Sequence, residues 1–397
     1  MRIAVLCSDT FPLQLSSITK AIEKKCTFAG ALGKRSYQII RDITSASTNN
    51  TIDVYIPHYN FPPGEISGPY FYNNVVNYIS YNFHRGVAFT NLIFGCYAKQ
   101  KKKYDYIILP TSAGVNFEVV CLLSTKIGTK VIADNWVPFL QEQDINLVRY
   151  GSSGAKKYKK FKENYSALLQ RADIILYDNT AQLNYLEGFL HALGFRESQK
   201  KLVRYVYDPF LAEDFSCIVE KKKKAKYPIN LLWYGPLYPW YNINPLCCFI
   251  MRNKKFKLTM YGVRHPRYSN YYDKDVKLQL LEYSGNCSNI TIIEDFIDKQ
   301  EEERILTPQN VAIVLDNSGI ESKYSVRVRV LDLLAKGIPV ITNSALSDIH
   351  LPDGLYKIAN TQDALAKILN SKIQFSSKSY ASFFEQMQND NILEVIN

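Results

Sequence analysis

Between Gly319 and Thr342 the chain has few ways to fold: the sequence reads as a loop, a helix, a tight turn and a buried strand. The helical run ends at Lys336. Gly337 is suited to a left-handed helix stop, and Pro339 blocks continuation. Val340-Ile341-Thr342 then opens an apolar strand. The polar loop Glu321 to Ser325 leads into this helix, so free backbone N–H groups at its start are available to an anion.

The same strand-and-helix rhythm runs through the rest of the chain. In the first half, strands are expected at 3–7, 52–56, 106–109, 130–134, 173–178 and 201–206, with helices at 116–126, 161–170 and 179–193. Residues 57–90 break the rhythm: Pro57, Pro62, Pro63, Gly64, Gly68 and Pro69 read as a loop followed by aromatics. The rhythm restarts with strands at 230–234, 257–261, 289–293, 311–315 and 338–342, then a helix at 362–369. Alternation of this kind indicates α/β domains built on parallel sheets. Two Rossmann-like domains are expected, at 1–206 and 228–377, joined by a linker at 207–227 rich in Lys. A tail helix within 378–397 is expected to pack back on the first domain.

Composition narrows the class. The 397 residues are 47% hydrophobic, enough for cores in both domains. No run of 18 apolar residues occurs, and Met1 to Cys7 reads as a first strand, not an export signal. The eight Cys form no Cys-x-x-Cys pair, a usage that fits buried thiols in a reducing, cytoplasmic setting. Net charge is +11, with Lys clumped at 99–103, 157–162 and 221–226. Solvated loops explain such clumps, and so does peripheral contact with the anionic inner face of the cytoplasmic membrane. No nucleic-acid module is visible, so nucleic acid is not an expected partner. The five scattered His lack metal spacing, so no metal is expected. No Gly-x-Gly-x-x-Gly follows a strand, which argues against a dehydrogenase, and Walker, His-Glu-x-x-His and Gly-x-Ser-x-Gly patterns are missing.

One segment is more specific. Asp332-Leu-Leu-Ala-Lys-Gly-Ile-Pro-Val340, with its polar lead-in, resembles the donor-site signature of group 1 (family 4-like) glycosyltransferases. Strand-Gly235-Pro-Leu and Tyr261-Gly-Val-Arg264 match two further strand-Gly steps of that group. The resemblance implies a GT-B fold, two facing Rossmann-like domains with a deep interdomain cleft. It implies a retaining transferase that moves a hexosyl or related sugar, without a metal or cofactor, from a nucleotide-sugar to a glycan or lipid-linked acceptor. Surface polysaccharide synthesis is the implied setting, and UDP or GDP the favoured nucleotide.

The resemblance also implies site residues. Asp332 stands where the group has a Glu that holds the ribose hydroxyls; an i,i+3 ion pair with Arg329 is the structural alternative. The group's other Glu position is Tyr324 here, so Glu321 is the nearest acid for a donor-sugar hydroxyl or a catalytic role. The diphosphate cations the group carries after its first Gly loop are absent from Gly235-Pro-Leu-Tyr-Pro-Trp-Tyr-Asn242. Arg327, Arg329, Lys323 and Arg264 are substitutes, with Arg327 and Arg264 favoured, because a diphosphate leaving group needs its charge stabilised. Gly235, Pro236, Trp240, Gly262 and Ser325 complete the expected donor site, Trp240 by stacking or by packing beneath it. In the first domain Asp9, Thr10, Asn135, Trp136 and Asp178 end strands and are acceptor candidates, with Asp134 a catalytic candidate. Two other classes stay open. One is a GT-B partner subunit that has lost transfer. The other is a nucleotide-sugar epimerase on the same fold, using Glu321 and His265.

Overall fold

The computed structural model describes residues 1–7, 31–46, 50–58, 64–71, 74–82, 104–110, 128–136, 139–196, 199–208, 228–237, 241–264, 274–294, 299–307, 310–316, 324, 327–343 and 356–371. The chain divides into two compact units, Met1–Leu211 with Met387–Asn397, and Ala212–Gln386. The expected linker from 209 onward, the helix at 116–126 and the tail helix lie outside the described residues.

The first unit holds an eight-stranded sheet. Its strands are β1 (Arg2–Leu6), β2 (Thr51–His58), β3 (Gly64–Phe71), β4 (Asn74–Asn82), β5 (Tyr106–Leu109), β6 (Lys130–Asp134), β7 (Ile174–Tyr177) and β8 (Lys201–Arg204). They lie in the order β3-β4-β2-β1-β5-β6-β7-β8, all parallel except β3, which runs antiparallel to β4. Three helices are described: α1 (Ala31–Ala46), α2 (Phe139–Arg171) and α3 (Thr180–Ala192). Residues of β1 alternate between two cores, as a period-two strand buried on both faces must. Ile3 and Val5 pack with Ile39, Ile40 and Ile43 of α1; Ala4 and Leu6 share the opposite core with Leu168 and Leu169 of α2 and Leu186 of α3.

Two stretches differ from expectation. Residues 64–71 form a strand where Pro and Gly suggested a loop, and residues 74–82, in the stretch read only as following aromatics, form another. β3 lies at the sheet edge, and its register shifts between Ser67 and Tyr70, around Gly68-Pro69. Edges and bulges are where a sheet tolerates a residue with no N–H. The Lys clump at 157–162 lies on α2, not in a loop, and Lys159, Lys160 and Lys162 are exposed on it. α2 is broken at Gly151, whose φ of 54° only glycine adopts readily.

The second unit is a six-stranded parallel sheet of β9 (Ile229–Tyr234), β10 (Phe256–Tyr261), β11 (Ile290–Ile293), β12 (Val311–Val314), β13 (Val340–Thr342) and β14 (Tyr356–Ile358). Its order, β11-β10-β9-β12-β13-β14, is the 3-2-1-4-5-6 arrangement of a doubly wound Rossmann sheet. Its helices are α4 (Asn244–Arg252), α5 (Lys274–Asn286), α6 (Lys299–Ile305), α7 (Val328–Ala335) and α8 (Gln362–Asn370). Leu246, Cys247 and Ile250 of α4 pack with Leu231, Trp233, Leu258 and Ile313 on one face. α7 ends as expected: the Gly337 N–H bonds to the Leu334 carbonyl and the Ile338 N–H to the Leu333 carbonyl, with Gly337 at φ 69°. That pair of bonds is a Schellman stop, and it turns the chain directly into β13.

Ile313, on the central strand β12, is 1% exposed, whereas Leu278 on α5 is 54% exposed. Ile313→Ala is therefore expected to cost about 2–5 kcal/mol by urea unfolding, and Leu278→Ala roughly 0.5 kcal/mol or less. Equal losses would contradict this burial.

Candidate functional site

In a doubly wound sheet the winding reverses beside the first strand, and the gap this leaves past the carboxyl ends is where ligands bind. In the second unit that point lies between β9 and β12. β9 runs out through Tyr234 into Gly235-Pro236, and β12 through Leu315 into Asp316. Tyr241 bridges to Asp316, and the Asn242 N–H bonds to the Leu315 carbonyl at 3.0 Å, so the return of the β9 loop is tied to the end of β12.

Two arginines enter this point from the start of α7, and their surroundings differ. Arg327 is 7% exposed, and its Nε donates to Asp316 Oδ2 at 2.7 Å; Asp316 is itself 1% exposed. Asn343, just past β13, accepts from the Asp316 N–H at 2.7 Å and donates its amide to the Asp316 carbonyl at 2.6 Å. Arg329 meets no carboxylate among the described residues. Its guanidinium lies over the rings of Trp233 (5.2 Å) and Tyr241 (4.9 Å), and Nη2 donates to the Pro236 carbonyl at 3.0 Å. The two rings meet edge-on at 5.0 Å, and the Trp233 indole donates to the Gly235 carbonyl at 2.9 Å.

Gly235 makes this arrangement sterically feasible. Its φ is 98°, and a Cβ there would fall 2.8 Å from Arg329 Nη2 and 3.1 Å from Cζ. The sequence reading assigned Gly235 to the donor; in the structure the space above it is occupied by the Arg329 guanidinium. Below, the Tyr234 hydroxyl bonds to Glu302, which pairs with Lys336 Nζ at 2.7 Å. Burial first, and then the Glu302 carboxylate, push the Tyr234 pKa upward, with Asp332 adding to the same effect and Arg329 opposing it. Tyr234 thus stays a neutral hydroxyl, and Asp332 shares its neighbourhood with Arg329. Gly262 (φ 64°) and the exposed Arg264 lie past β10, one strand away from the β9–β12 gap. Arg264 is therefore not gathered with Arg327, contrary to their joint assignment. Glu321, Lys323, Ser325, Trp240 and His265 lie outside the described residues; Tyr324 is half-buried. Tyr241, Asp316, Asn343 and Glu302 were not foreseen, because their roles depend on partners distant in sequence.

In the first unit the corresponding point lies between β1 and β5, and Asp9 and Thr10 beyond β1 are outside the described residues. Asp134, Asn135, Trp136 and Asp178 follow β6 and β7 and form an internal network. Arg35 of α1, which the sequence reading missed, donates to both Asp134 oxygens at 3.1 Å and to the Tyr205 carbonyl at 2.6 Å. Its guanidinium stacks over Tyr205 and Trp136. Trp136 Nε1 donates to Asp178 Oδ2 at 3.2 Å, the Tyr207 N–H donates to Asp178 Oδ1, and Tyr165 donates to Asn135. Asp134 is 0% exposed and Arg35 binds both its oxygens, so in the structure it ties α1 to the end of β6. Trp136 and Asp178, expected at the acceptor, tie β6, β7 and the segment after β8; Asn135 accepts from Tyr165 through Oδ1, while its buried Nδ2 has no hydrogen-bond partner among the described residues.

Among the described residues no cluster of His, Cys, Asp and Glu is arranged to hold a metal, and no helix is long and apolar enough to cross a membrane.

Comparison with known proteins bears on the fold. No protein-family model matches the chain, and no curated protein does. Solved structures do match across its whole length. Sucrose-phosphate synthase from Thermosynechococcus elongatus superposes with a TM-score of 0.62 at 15% identity, covering 100% of this chain and 96% of that one. The E. coli trehalose-6-phosphate protein bound to UDP-2-fluoro glucose gives 0.59 at 11% identity, covering 100% and 95%. Anabaena HepE in complex with UDP-glucose gives 0.59 at 11%, covering 100% and 99%. The chain has the GT-B fold of these proteins.

Two stability measurements test the first-unit network. Asp134→Ala would leave Arg35 buried without its carboxylate and is expected to cost about 3–5 kcal/mol in chemical unfolding; little loss would contradict the pairing. Burial raises the Asp178 pKa to about 6, with Asp134 adding to the rise and Arg35 and the hydrogen bonds from Tyr207 and Trp136 opposing it. The folded protein thus holds this proton to a higher pH than the unfolded chain does. Protonation favours folding, and that contribution is lost as pH rises from about 4 through about 6. Wild type should lose roughly 2–3 kcal/mol relative to Asp178→Asn over that window, measured by urea unfolding at each pH. A pH-independent difference would refute the assignment.

Proposed function

We propose that this protein is a glycosyltransferase whose second unit binds a nucleotide-sugar at the β9–β12 switch point. The observation that carries the reading is the meeting of Arg329 with the Gly235 turn, with Asp332 near enough to act on Tyr234 at the end of β9, within a sheet order that binds nucleotides at this position. Two fold neighbours hold UDP-glucose and UDP-2-fluoro glucose, which supports a UDP-sugar as the first donor to try. In this reading Asp332 accepts from the ribose hydroxyls, a task for which a carboxylate has two oxygens.

The family 4-like signature supports retention of configuration without a metal. The bond from the sugar's anomeric carbon to the diphosphate oxygen breaks, and the acceptor oxygen bonds to that carbon on the same face. The acceptor's proton passes to the departing phosphate oxygen. The protein then contributes orientation and anion stabilisation. A glycan or lipid-linked acceptor of surface polysaccharide synthesis, met at the inner face of the cytoplasmic membrane, suits the net charge of +11. A sugar phosphate is the acceptor class suggested by a fold neighbour crystallised with glucose-6-phosphate. A second reading, a GT-B partner subunit without turnover, draws on one observation: Arg329 occupies the space over Gly235.

The test is release of nucleoside diphosphate from UDP- and GDP-sugars, with and without glucose-6-phosphate or a lipid-linked acceptor, in the presence of EDTA. Acceptor-dependent release is expected, falling about tenfold or more in Asp332→Ala. Nucleotide binding without release would favour the partner-subunit reading. Release of free sugar without acceptor would favour the epimerase.

A further inference from the structure

We infer that Arg329 is the cation that receives the donor's diphosphate, a task the family resemblance gives to loop cations that the stretch Gly235 to Asn242 does not contain. This rests on the donor site proposed above.

Four cations were available from the sequence: Arg327, Arg329, Lys323 and Arg264. Of the three that the structure describes, Arg327 faces a buried carboxylate at 2.7 Å, which offsets its charge. Arg264 is exposed beyond β10, off the switch point. Arg329 combines two features: no carboxylate among the described residues meets it, and it lies at the end of β9. Its Nη1 is buried and makes no hydrogen bond, although a buried guanidinium N–H ordinarily finds an acceptor. The rest of the side chain is fixed: Nη2 is held by the Pro236 carbonyl, and the plane is braced by Trp233 and Tyr241. A planar guanidinium with one edge anchored and one N–H unfilled is prepared for an anionic oxygen, and a phosphate is the anion whose geometry its fork matches. Bracing by neutral rings holds the group in place without offsetting its charge. Gly235 acquires a role from this: it keeps the guanidinium's path clear, since any Cβ there would displace it.

The inference separates diphosphate recognition from nucleoside recognition, and titration calorimetry can separate them too. Wild type, Arg329→Gln, Arg329→Lys and Asp332→Ala would each be titrated with UDP, GDP and the matching nucleosides. For the nucleotide that wild type binds, Arg329→Gln is expected to weaken the diphosphate about tenfold or more, with the nucleoside held within about twofold. Arg329→Lys keeps the charge but not the fork, and is expected to fall between the two. It also serves if the Gln variant fails to fold. Asp332→Ala is expected to weaken nucleotide and nucleoside together. Parallel losses of nucleotide and nucleoside in the Arg329 variants would overturn the assignment by making Arg329 a structural brace. Unchanged nucleotide affinity would overturn it as well. In either case an effect of Asp332→Ala would leave the donor site itself standing. No binding of either nucleotide to wild type would instead remove the donor reading, and this inference with it.

Discussion

Parallel strands buried on both faces cannot be joined by tight turns, so each connection must cross over a face and return. When a sheet is wound outward from a central strand in both directions, two neighbouring strands send their connections to opposite faces. Nothing in the backbone then closes the gap between their carboxyl ends. In the second unit this happens beside β9, and the polar groups gathered there follow from it: Gly235 and Pro236 leave along one side, Asp316 along the other, and α7 delivers two arginines across the opening. The register of β9 with β10 and β12 fixes where the gap opens.

Three of the described arginines are used in two ways. Arg35 and Arg327 each meet a carboxylate enclosed with them, and such pairs hold elements together while their charges largely cancel. In the first unit the result is a clasp: α1 reaches Asp134 after β6 and the carbonyl of Tyr205 after β8, while Gln38 one turn on holds the Val206 carbonyl. Arg329 is held by rings and a carbonyl, which restrict its motion but leave its field intact. Contact type thus distinguishes a structural arginine from one whose charge remains available.

Much of the fold was legible because it is written locally. The helix, glycine and proline at 328–339 specified α7, its stop and the entry to β13 within one window, and the structure repeats them bond for bond. Alternating apolar runs specified most strands. What sequence reading missed depends on distant partners. β3 looked like a loop because Pro and Gly are poor strand residues unless the strand lies at an edge, and edge position is a property of the whole sheet. Asp134 and Asp178 ended strands, as site residues do, and what they hold is shown only by partners distant in sequence, Arg35 for the first, Trp136 and Tyr207 for the second. Asp332 stood out from the signature and Arg329 only as one of four substitute cations, while Tyr241 and Asp316 became visible only once β9 and β12 lay side by side.

The reversed strand β3 has a consequence for how copies of this protein meet. An open parallel sheet ends in a row of unpaired amides and carbonyls that another chain can extend. Here the outermost strand runs against its neighbour, shifts register around Gly68-Pro69 and lacks an amide proton at Pro69. A second sheet approaching this border meets an irregular spacing of donors and acceptors and cannot continue the ladder. The proline that obscured the strand in the sequence thus disfavours extension of the sheet along this border.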